Sequence, residues 1–479
     1  MRLSSMLALI TFVTSSPSYA DRNNEDRGLL YAAVASQAIT PPVGVPLAGH
    51  GAVVRRDLIP LSCFFHKYAT YFKPSKGILD PIRAKVVLLK RGDKRLLIMS
   101  LDLVAVTDDF HTEVANAVAD LGFKPEEVVV SGTHTHNGPG AISKNPLWAF
   151  VAVDKFKPAI YYPILVSAVH LIHRAYAELE PAVLQAYQFR VEGLQVNRRN
   201  DHPASVVDPS ANVLVVRNSM GEYLGALINV AVHGTALPKA NLLLSTDVPG
   251  ALEHAFEERL AAHNDPSSRV PTVVFINSAE GDVAPAQEGQ PALSVLGTLF
   301  ATQADAALSA ARLIWPSWEI RRATVDLGTA KVRLKNCVDG AFLRALVWGK
   351  LTINVAKYFR RQTTISTIKI GDMMMMTWPG EPTTALGLAL KDLAYQAGAS
   401  QAWVLGLTND YLAYFVTPDE YDNGGYESCA CVFGAHGGKK IVEGYRLLLN
   451  TWHYQVVETD IIPGQQRTHS GFASHRPGL

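Results

Sequence analysis

The sequence predicts an α/β fold with mixed, largely parallel sheets, flanking helices and a site at the carboxyl ends of the strands. Apolar, β-rich runs alternate with stretches of helical periodicity along the 479 residues. In open α/β sheets, ligands bind beyond the carboxyl ends of the strands. Five apolar runs share one kind of ending, with glycine or proline beside polar or ionisable residues, and they end near Val130, Val232, Asn277, Trp378 and Leu407.

The first predicted unit is a strand–helix–strand crossover. Residues 84–89 and 96–100 read as a hairpin, residues 108–121 have helical spacing, and residues 128–130 read as the next strand. A crossover of this kind normally makes its two strands parallel and is right-handed. The stretch before it, residues 33–51, contains prolines and glycines and is predicted to be irregular.

The alternation of strands and helices continues to about residue 396, without an internal repeat or an obvious linker. We therefore predict one catalytic domain over residues 21–455, followed by a polar tail over residues 456–479. The remaining predicted elements are hairpins at 211–217 with 223–232 and at 364–371 with 373–378, strands at 272–277 and 320–335, and helices at 156–179, 250–262, 292–311 and 384–396.

The N-terminus has the layout of a signal peptide. Arg2 supplies the positive charge, residues 6–13 form a short apolar run, and Ser18 and Ala20 are the small residues that a signal peptidase requires. The apolar run is too short to span a bilayer. We predict a signal peptide over residues 1–20, a secreted or periplasmic mature chain, and no transmembrane segment in it.

Charge and cysteine content narrow the class of protein further. The formal net charge is +1, without a run of lysine and arginine, which gives no support for a nucleic-acid partner. An exported chain can form one or two disulfides, although small buried cysteines are an equally good interpretation. The sequence leaves the pairing open among Cys63, Cys337, Cys429 and Cys431.

The run Ser131-Gly-Thr-His-Thr-His-Asn-Gly-Pro-Gly140 holds two histidines two positions apart. In extended backbone such residues point to the same side, so His134 and His136 can face one spot at the end of a strand. That arrangement suits a metal or acid–base site, but it can also be a hydrogen-bonded surface turn. His233, which likewise ends an apolar run before a glycine, favours the site.

Six segments match the motifs of one known family, namely residues 133–140, 196–198, 232–235, 275–285, 378–384 and 409–421. Taken in order, these segments resemble the catalytic domain of the neutral (non-lysosomal) ceramidases. The resemblance extends over roughly residues 30–450. It implies the fold and the chemistry of that family, a zinc-dependent hydrolysis of an amide bond.

The resemblance also implies a set of site residues, carried over position by position. The zinc ligands would be His134, His233, Glu381 and Tyr414. Imidazole and carboxylate are ordinary zinc ligands, and a catalytic zinc keeps one position open for water. Nothing in composition or periodicity would have selected Tyr414 as a ligand.

Three further residues would act beside the metal, namely His136, Arg198 and Tyr426. A histidine can serve as general acid or base near neutral pH. Guanidinium and phenol groups can donate hydrogen bonds to a developing oxyanion. Outside their motifs, Arg198 would read as a surface charge and Tyr426 as a core aromatic residue.

The expected reaction is cleavage of an N-acyl lipid such as ceramide by zinc-activated water, with possible peripheral membrane contact. One departure from the family concerns Ala284, which stands where the family has serine. The alternatives are therefore a zinc hydrolase of a non-sphingoid amide or ester, or a catalytically inactive lipid-binding homologue. The family also carries a C-terminal immunoglobulin-like domain, for which the last motif leaves no room, so we expect substrate presentation to differ.

Overall fold

The computed structural model describes residues 28–51, 53–57, 66–199, 206–338 and 351–453. The predicted signal peptide, its cleavage site, Cys63 and the polar tail lie outside these residues. The main helices are α1 Asp108–Ala117, α2 Pro158–Ala177, α3 Asp247–Ala262, α4 Gln290–Ala307, α5 Thr384–Gln396, α6 Pro418–Asn423, α7 Tyr426–Ala430 and α8 Gly437–His453.

The larger sheet has nine strands, β1 Tyr31–Ala38, β2 Arg83–Arg91, β3 Lys94–Leu101, β4 Val128–Gly132, β5 Glu180–Arg190, β6 Ser210–Asn218, β7 Tyr223–Val230, β8 Thr272–Asn277 and β9 Arg312–Ile314. Eight of them follow the order β8-β7-β6-β5-β1-β2-β3-β4, and β9 pairs with β5. The smaller sheet runs in the order β10-β11-β12-β13, whose strands are β10 Trp318–Asp326, β11 Gln362–Ile370, β12 Met373–Thr377 and β13 Gln401–Leu405.

The mixed α/β class is confirmed, but the expectation that the sheets are largely parallel is wrong. In the larger sheet the parallel pairs are β3 with β4 and β7 with β8, and in the smaller sheet β12 with β13. The other pairings within both sheets are antiparallel. The reason is that the short turns after β2, β6 and β11 make hairpins, and hairpins are antiparallel by construction.

The predicted crossover is confirmed, since α1 connects the parallel strands β3 and β4. The predicted irregular stretch 33–51 is partly wrong, because β1 covers its first residues. The sequence of β1, YAAVASQA, has no clear alternation of apolar and polar residues. Its extended form is instead stabilised by pairing with β2 along its whole length.

Side-chain hydrogen bonds join strands that are distant in the sheet order. Lys85 on β2 donates to the carbonyl of Val273 on β8 at 3.0 Å. Asn229 on β7 donates to the carbonyl of Val404 on β13 at 2.9 Å, which links the two sheets. Backbone hydrogen bonds at the strand ends place the carboxyl ends of β4, β7, β8, β12 and β13 near one another, as the sequence predicted. They run from Gly132 to Leu407, from Ser278 to Val230, from Gly406 to Asn277 and from Trp378 to Leu405.

Two short strand pairs complete the edge of the site. Residues Val283–Pro285 pair with Gln195–Asn197, and Glu381–Pro382 pair with Tyr414–Phe415. A disulfide joins Cys337 to Cys429 on α7, while Cys431 is a buried thiol without a disulfide partner among the described residues. None of the helices within the described ranges combines the length and the apolar character needed to cross a bilayer.

Candidate active site

Two histidine-bearing loops meet at the carboxyl ends of β4 and β7. Thr135 pairs with Gly234 in a parallel bridge, and the backbone N–H of His136 donates to the Gly234 carbonyl at 2.9 Å. A Cβ atom at Gly234 would lie 2.7 Å from both the His134 carbonyl oxygen and the Thr135 Cα, so a side chain there would push the loops apart. The close approach brings the ring centroids of His134 and His233 to 4.7 Å.

His134 is held in an unusual backbone conformation. Its φ of 68° lies in the left-handed region, which costs a residue other than glycine roughly 1–3 kcal/mol. Its backbone N–H donates to the Leu103 carbonyl at 3.0 Å, and its ring Nδ1 lies 2.6 Å from the Val104 carbonyl oxygen. The strand end after β3 thus fixes both the backbone and the ring of His134.

Glu381 faces both histidines. Its Oε2 atom lies 3.2 Å from Nε2 of His134 and 3.2 Å from Nε2 of His233. Its other oxygen, Oε1, accepts a hydrogen bond of 2.7 Å from the phenol of Tyr411. Glu381 is buried, and its backbone pairs in register with Tyr414.

The hydrogen bonds at Nδ1 of His134 and His233 determine whether their Nε2 atoms turn a lone pair or a proton towards Glu381. Nδ1 of His233 lies 2.9 Å from the Val283 carbonyl oxygen, as Nδ1 of His134 does from that of Val104. A carbonyl oxygen accepts, so each Nδ1 carries a proton, and a neutral ring held in this way turns an Nε2 lone pair towards the carboxylate. Burial lowers the pKa of His233 to about 3, with the charge of Arg198 adding to that effect, so its ring is neutral at pH 7.

Lone pairs on Nε2 of His134 and His233 would face Oε2 of Glu381. Such groups repel one another unless a cation lies between them. Glu381 Oε2 has no hydrogen-bond donor among the residues that the structure describes. The ligand atoms of His134, His136 and His233 lie within 4.8 Å of one another, and so do those of His134, Glu280 and Glu381. Nitrogen and oxygen donors of these types are what zinc and related divalent metals bind. The cluster therefore fits a metal ion.

Arg198 links the cluster to α7. Its Nη2 donates to the phenol oxygen of Tyr414 at 3.1 Å and to the Gly281 carbonyl at 2.7 Å, while its Nε bonds Glu427 at 2.8 Å. The Tyr414 oxygen also lies 3.3 Å from Nε2 of His233. Burial, with the charge of Glu381 adding to it, raises the pKa of Tyr414 well above its usual value, so the phenol keeps its proton.

Tyr426 stands at the mouth of the site. It is 62% exposed, and its ring centroid lies 5.5 Å from that of Tyr414. The guanidinium carbon of Arg198 lies 5.5 Å from the centre of the Tyr426 ring, within the range of a cation–π contact. Glu427, the next residue, also pairs with Arg199 at 2.9 Å. One acidic residue thus fixes both arginines.

His136 lies next to His134, with the two ring centroids 4.7 Å apart. Its Nε2 is 3.1 Å from Nε2 of His134, and its Nδ1 is 3.4 Å from Nδ1 of His50. Burial lowers the pKa of His136 well below its usual value, and neighbouring imidazoles add to the shift. A neutral His136 can accept a proton at the ring nitrogen that faces the site.

The structure brings together all seven residues that the sequence selected. It also places three residues there that sequence reasoning missed: His50 beside His136, Tyr411 on Glu381, and Glu280 near His134. Tyr411 and Glu280 both lie inside segments that carried the resemblance, and Glu280 is a carboxylate just after a buried strand. That position was a usable signal. His50 lies in a glycine-rich stretch of the sequence that had no distinguishing pattern.

Ala284 lies next to the carbonyl that orients His233. Its backbone pairs with Val196, two residues before Arg198, and the adjacent Val283 accepts the hydrogen bond from His233. A side chain at position 284 is therefore carried by the same short strand that orients one imidazole.

A cavity of about 440 Å³ opens onto the cluster. This volume lies within the range of roughly 300–1,000 Å³ that is usual for small-molecule sites. His134, His136, Glu381, Tyr411, Tyr414 and Tyr426 line its polar end. The remaining wall is mostly apolar. It includes Leu147 and Trp148 from the short helix Pro146–Trp148, Val151, Ala152 and Val153 from the adjoining helical segment Ala149–Val153, and Phe110, Val332, Ile353 and Phe359 from other elements.

Comparison with known proteins gives one family. The chain matches the family described as neutral/alkaline non-lysosomal ceramidase, N-terminal, over residues 60–295 and 344–442, which is more than half of its length. Among curated proteins it is similar to a neutral ceramidase of Mycobacterium tuberculosis, at 23% identity over 459 residues. That alignment covers 78% of this chain and 72% of the relative.

Solved structures show the same fold. The neutral ceramidase from Pseudomonas aeruginosa superposes with a TM-score of 0.72 at 20% identity, over 92% of this chain and 77% of that one. A structure described as a ceramidase complexed with C2 gives a TM-score of 0.74 at 18% identity, over 91% of this chain and 77% of that one. At these identities the likeness establishes the fold.

Proposed function

We propose that this chain, which belongs to the neutral/alkaline non-lysosomal ceramidase family, is an exported, zinc-dependent amidohydrolase. It cleaves the amide bond of an N-acyl lipid such as ceramide to a fatty acid and an amine. The observation that carries the proposal is the position of the histidine–glutamate cluster at the polar end of an otherwise apolar cavity. Such a cavity can hold the acyl chain of a substrate while the substrate's amide carbonyl reaches the cluster.

His134, His233, Glu381 and Tyr414 would hold the zinc. The two Nε2 lone pairs and the unpaired Glu381 Oε2 support this assignment. When bound, zinc supplies a Lewis acid that lowers the pKa of water to about 7 and polarises a carbonyl group. The backbone carbonyls of Val104 and Val283 orient the imidazoles, and Tyr411 orients the carboxylate, as outer hydrogen bonds commonly do at metal sites.

His136 would move the proton of the reaction. Its buried ring is neutral, and its Nε2 atom faces the same point as Nε2 of His134. It would accept a proton at Nε2 from the attacking water and return it to the nitrogen of the departing amine. A positioned acid–base group of this kind contributes typically 10²–10⁴-fold in rate.

Arg198 and Tyr426 would stabilise the negative charge that develops on the carbonyl oxygen. Glu427 fixes the guanidinium of Arg198, so little reorganisation is needed when the charge forms. Tyr426 is exposed at the mouth and would complete its hydrogen bond when substrate enters.

Apolar side chains near the cavity support a peripheral contact with a membrane. Phe150 is 60% exposed, and its neighbour Val151 both lines the cavity and is partly exposed. Val53 and Val54 add exposed apolar surface on a segment whose Arg56 stacks over the Phe150 ring at 5.0 Å. Lipid could pass from the membrane surface into the cavity along this face.

Export is supported by the Cys337–Cys429 disulfide, because disulfides persist in oxidising compartments. N-terminal sequencing of protein recovered outside the cytoplasm should find Asp21 as the first residue. An intact Met1 on cytoplasmic protein would refute the export assignment.

Ala284 favours a second candidate, hydrolysis of an N-acyl amide that is not a sphingolipid. A panel of ceramide, N-acyl amino acids, N-acyl ethanolamines and simple esters, assayed with and without chelator, tests the proposal. Chelator-sensitive release of fatty acid from ceramide supports the first candidate, and release confined to other amides or esters supports the second. Binding of these lipids without hydrolysis of any of them would identify an inactive lipid-binding homologue.

A further inference from the structure

Glu280 is a fully buried carboxylate at the edge of the histidine–glutamate cluster. It follows β8, and its exposed fraction is 0%. Neither Oε1 nor Oε2 has a hydrogen-bond partner within the part of the chain that the structure describes. One of its oxygens lies within 4.8 Å of a ligand atom of His134 and of one of Glu381. Glu280 is thus aimed at the cluster that would hold zinc.

Two backbone contacts keep Glu280 there. The N–H of the next residue, Gly281, donates to the Pro382 carbonyl at 2.9 Å, which ties the loop to the segment that carries Glu381. Gly406, after β13, leaves room for the carboxylate, because a Cβ atom at that position would lie 2.8 Å from Glu280 Oε2 and 2.3 Å from the Ser278 carbonyl oxygen. The carboxylate therefore packs against backbone rather than against a donor.

A buried carboxylate without a donor is costly, so it either holds a proton or pairs with a cation. The charge of Arg198 acts on Glu280, but Nε of Arg198 is bonded to Glu427 and its Nη2 to the Gly281 carbonyl and Tyr414. Glu280 and Glu381 therefore place two carboxylates around one point, and no positive side chain within the described ranges hydrogen-bonds Glu280. A divalent cation between them would neutralise both.

We propose that Glu280 is an additional ligand of the metal centre, alongside His134, His233, Glu381 and Tyr414. The inference rests on the proposed function, because it presupposes that the cluster binds a metal. It adds a second carboxylate to the donor set. A metal held there would gain charge neutralisation and one more oxygen donor, while His136 would remain outside the donor set to exchange protons.

The test compares two variants with a matched control. Glu280→Gln keeps the shape of the side chain but removes its charge, and Glu280→Leu removes both oxygen atoms. Glu258→Gln, at an exposed position on α3, controls for the loss of a glutamate charge elsewhere. Zinc affinity is measured by competition with a chromophoric chelator, and unfolding is followed with and without zinc.

We expect both Glu280 variants to bind zinc at least tenfold more weakly than wild type and the Glu258→Gln control, because loss of even an outer partner commonly costs 10–100-fold in metal affinity. Zinc should also raise the melting temperature of wild type more than that of either variant. Without metal, Glu280→Gln should be at least as stable as wild type, since it removes a buried charge. The visible absorption of cobalt-loaded protein should change in Glu280→Gln, as expected when a ligand is lost.

Two results would overturn the assignment, and they differ. Wild-type zinc affinity, zinc-induced stabilisation and cobalt spectrum in both variants would show that Glu280 is a neutral, protonated side chain, while the metal site itself stands. Absence of zinc binding by wild type would overturn this inference together with the metal-dependent function.

Discussion

The phenol of Tyr411 donates a 2.7 Å hydrogen bond to Oε1 of Glu381, and this bond leaves Oε2 as the atom that faces the histidines. Tyr411 stands three residues before Tyr414, whose backbone pairs with Glu381. One short segment therefore supplies both a predicted ligand and the group that orients another. At metal sites, hydrogen bonds from outer groups commonly orient the ligands. Here backbone carbonyls orient the imidazole rings, and a phenol orients the carboxylate.

Tyr411→Phe should weaken zinc binding by about 10–100-fold, the usual cost of losing a partner that orients a ligand. The substitution keeps the ring and removes the hydroxyl that fixes Glu381. Zinc affinity is measured as for the Glu280 variants, with Tyr395→Phe on α5 as the control for loss of a surface phenol. An unchanged affinity would mean that packing, not Tyr411, orients Glu381.

His136→Ala should retain zinc and lose roughly a hundredfold or more in turnover, the size of an acid–base contribution. The reason is that His136 lies beside His134 but outside the proposed set of ligands, so its loss leaves those four donors in place. Metal analysis and kcat on the best substrate are measured together, and His254→Ala, an exposed histidine on α3, serves as the control. Loss of zinc would make His136 a ligand, and wild-type turnover would make it structural.

Ala284→Ser should shift preference towards ceramide without creating activity. The attacking group is independent of position 284 in this mechanism, whereas a hydroxyl there can hydrogen-bond a substrate hydroxyl, and such contacts discriminate strongly. The ratio of kcat/KM for ceramide to that for a non-sphingoid N-acyl amide is the measurement. If wild type hydrolyses nothing and the serine variant becomes active, the serine is the nucleophile and the natural chain is inactive.

Ala152→Phe should discriminate against long acyl chains. Ala152 lines the cavity from the helical segment Ala149–Val153, and a phenyl ring there would occupy part of its volume. We expect kcat/KM to fall at least tenfold for long-chain N-acyl substrates and to change little for short-chain ones, since overfilling a packed site commonly costs 1–3 kcal/mol. Equal losses on both substrates would place the acyl chain outside this cavity.

Strand ends carry a strong sequence signal, so the sequence predicted which segments lie together at the candidate site. The residues that follow β4, β7 and β12 were recognised from an apolar run and the turn after it, and His134, His233 and Glu381 do meet there. The direction of strand pairing was harder to predict from the sequence. Apolar strands read alike in parallel and antiparallel sheets when both faces are buried, so the parallel character was overestimated.

The contact partners of individual residues could not be predicted from the sequence. Whether a buried Glu280 approaches His134 depends on how two loops pack, and that depends in turn on the space left by Gly406. The pairing of Cys337 with Cys429 likewise joins residues 92 positions apart, for which periodicity carries no information. Strand β1 has weak alternation and takes its form from β2, a tertiary effect that outweighs local propensity.

The most direct test of the central claim is the zinc content of purified protein, measured for wild type and for a His134→Ala/His233→Ala double variant that is shown to be folded. We expect about one zinc per chain in wild type, as for a catalytic site with three or four protein ligands, and almost none in the double variant. A wild type without zinc, or a double variant that retains full occupancy, would contradict it.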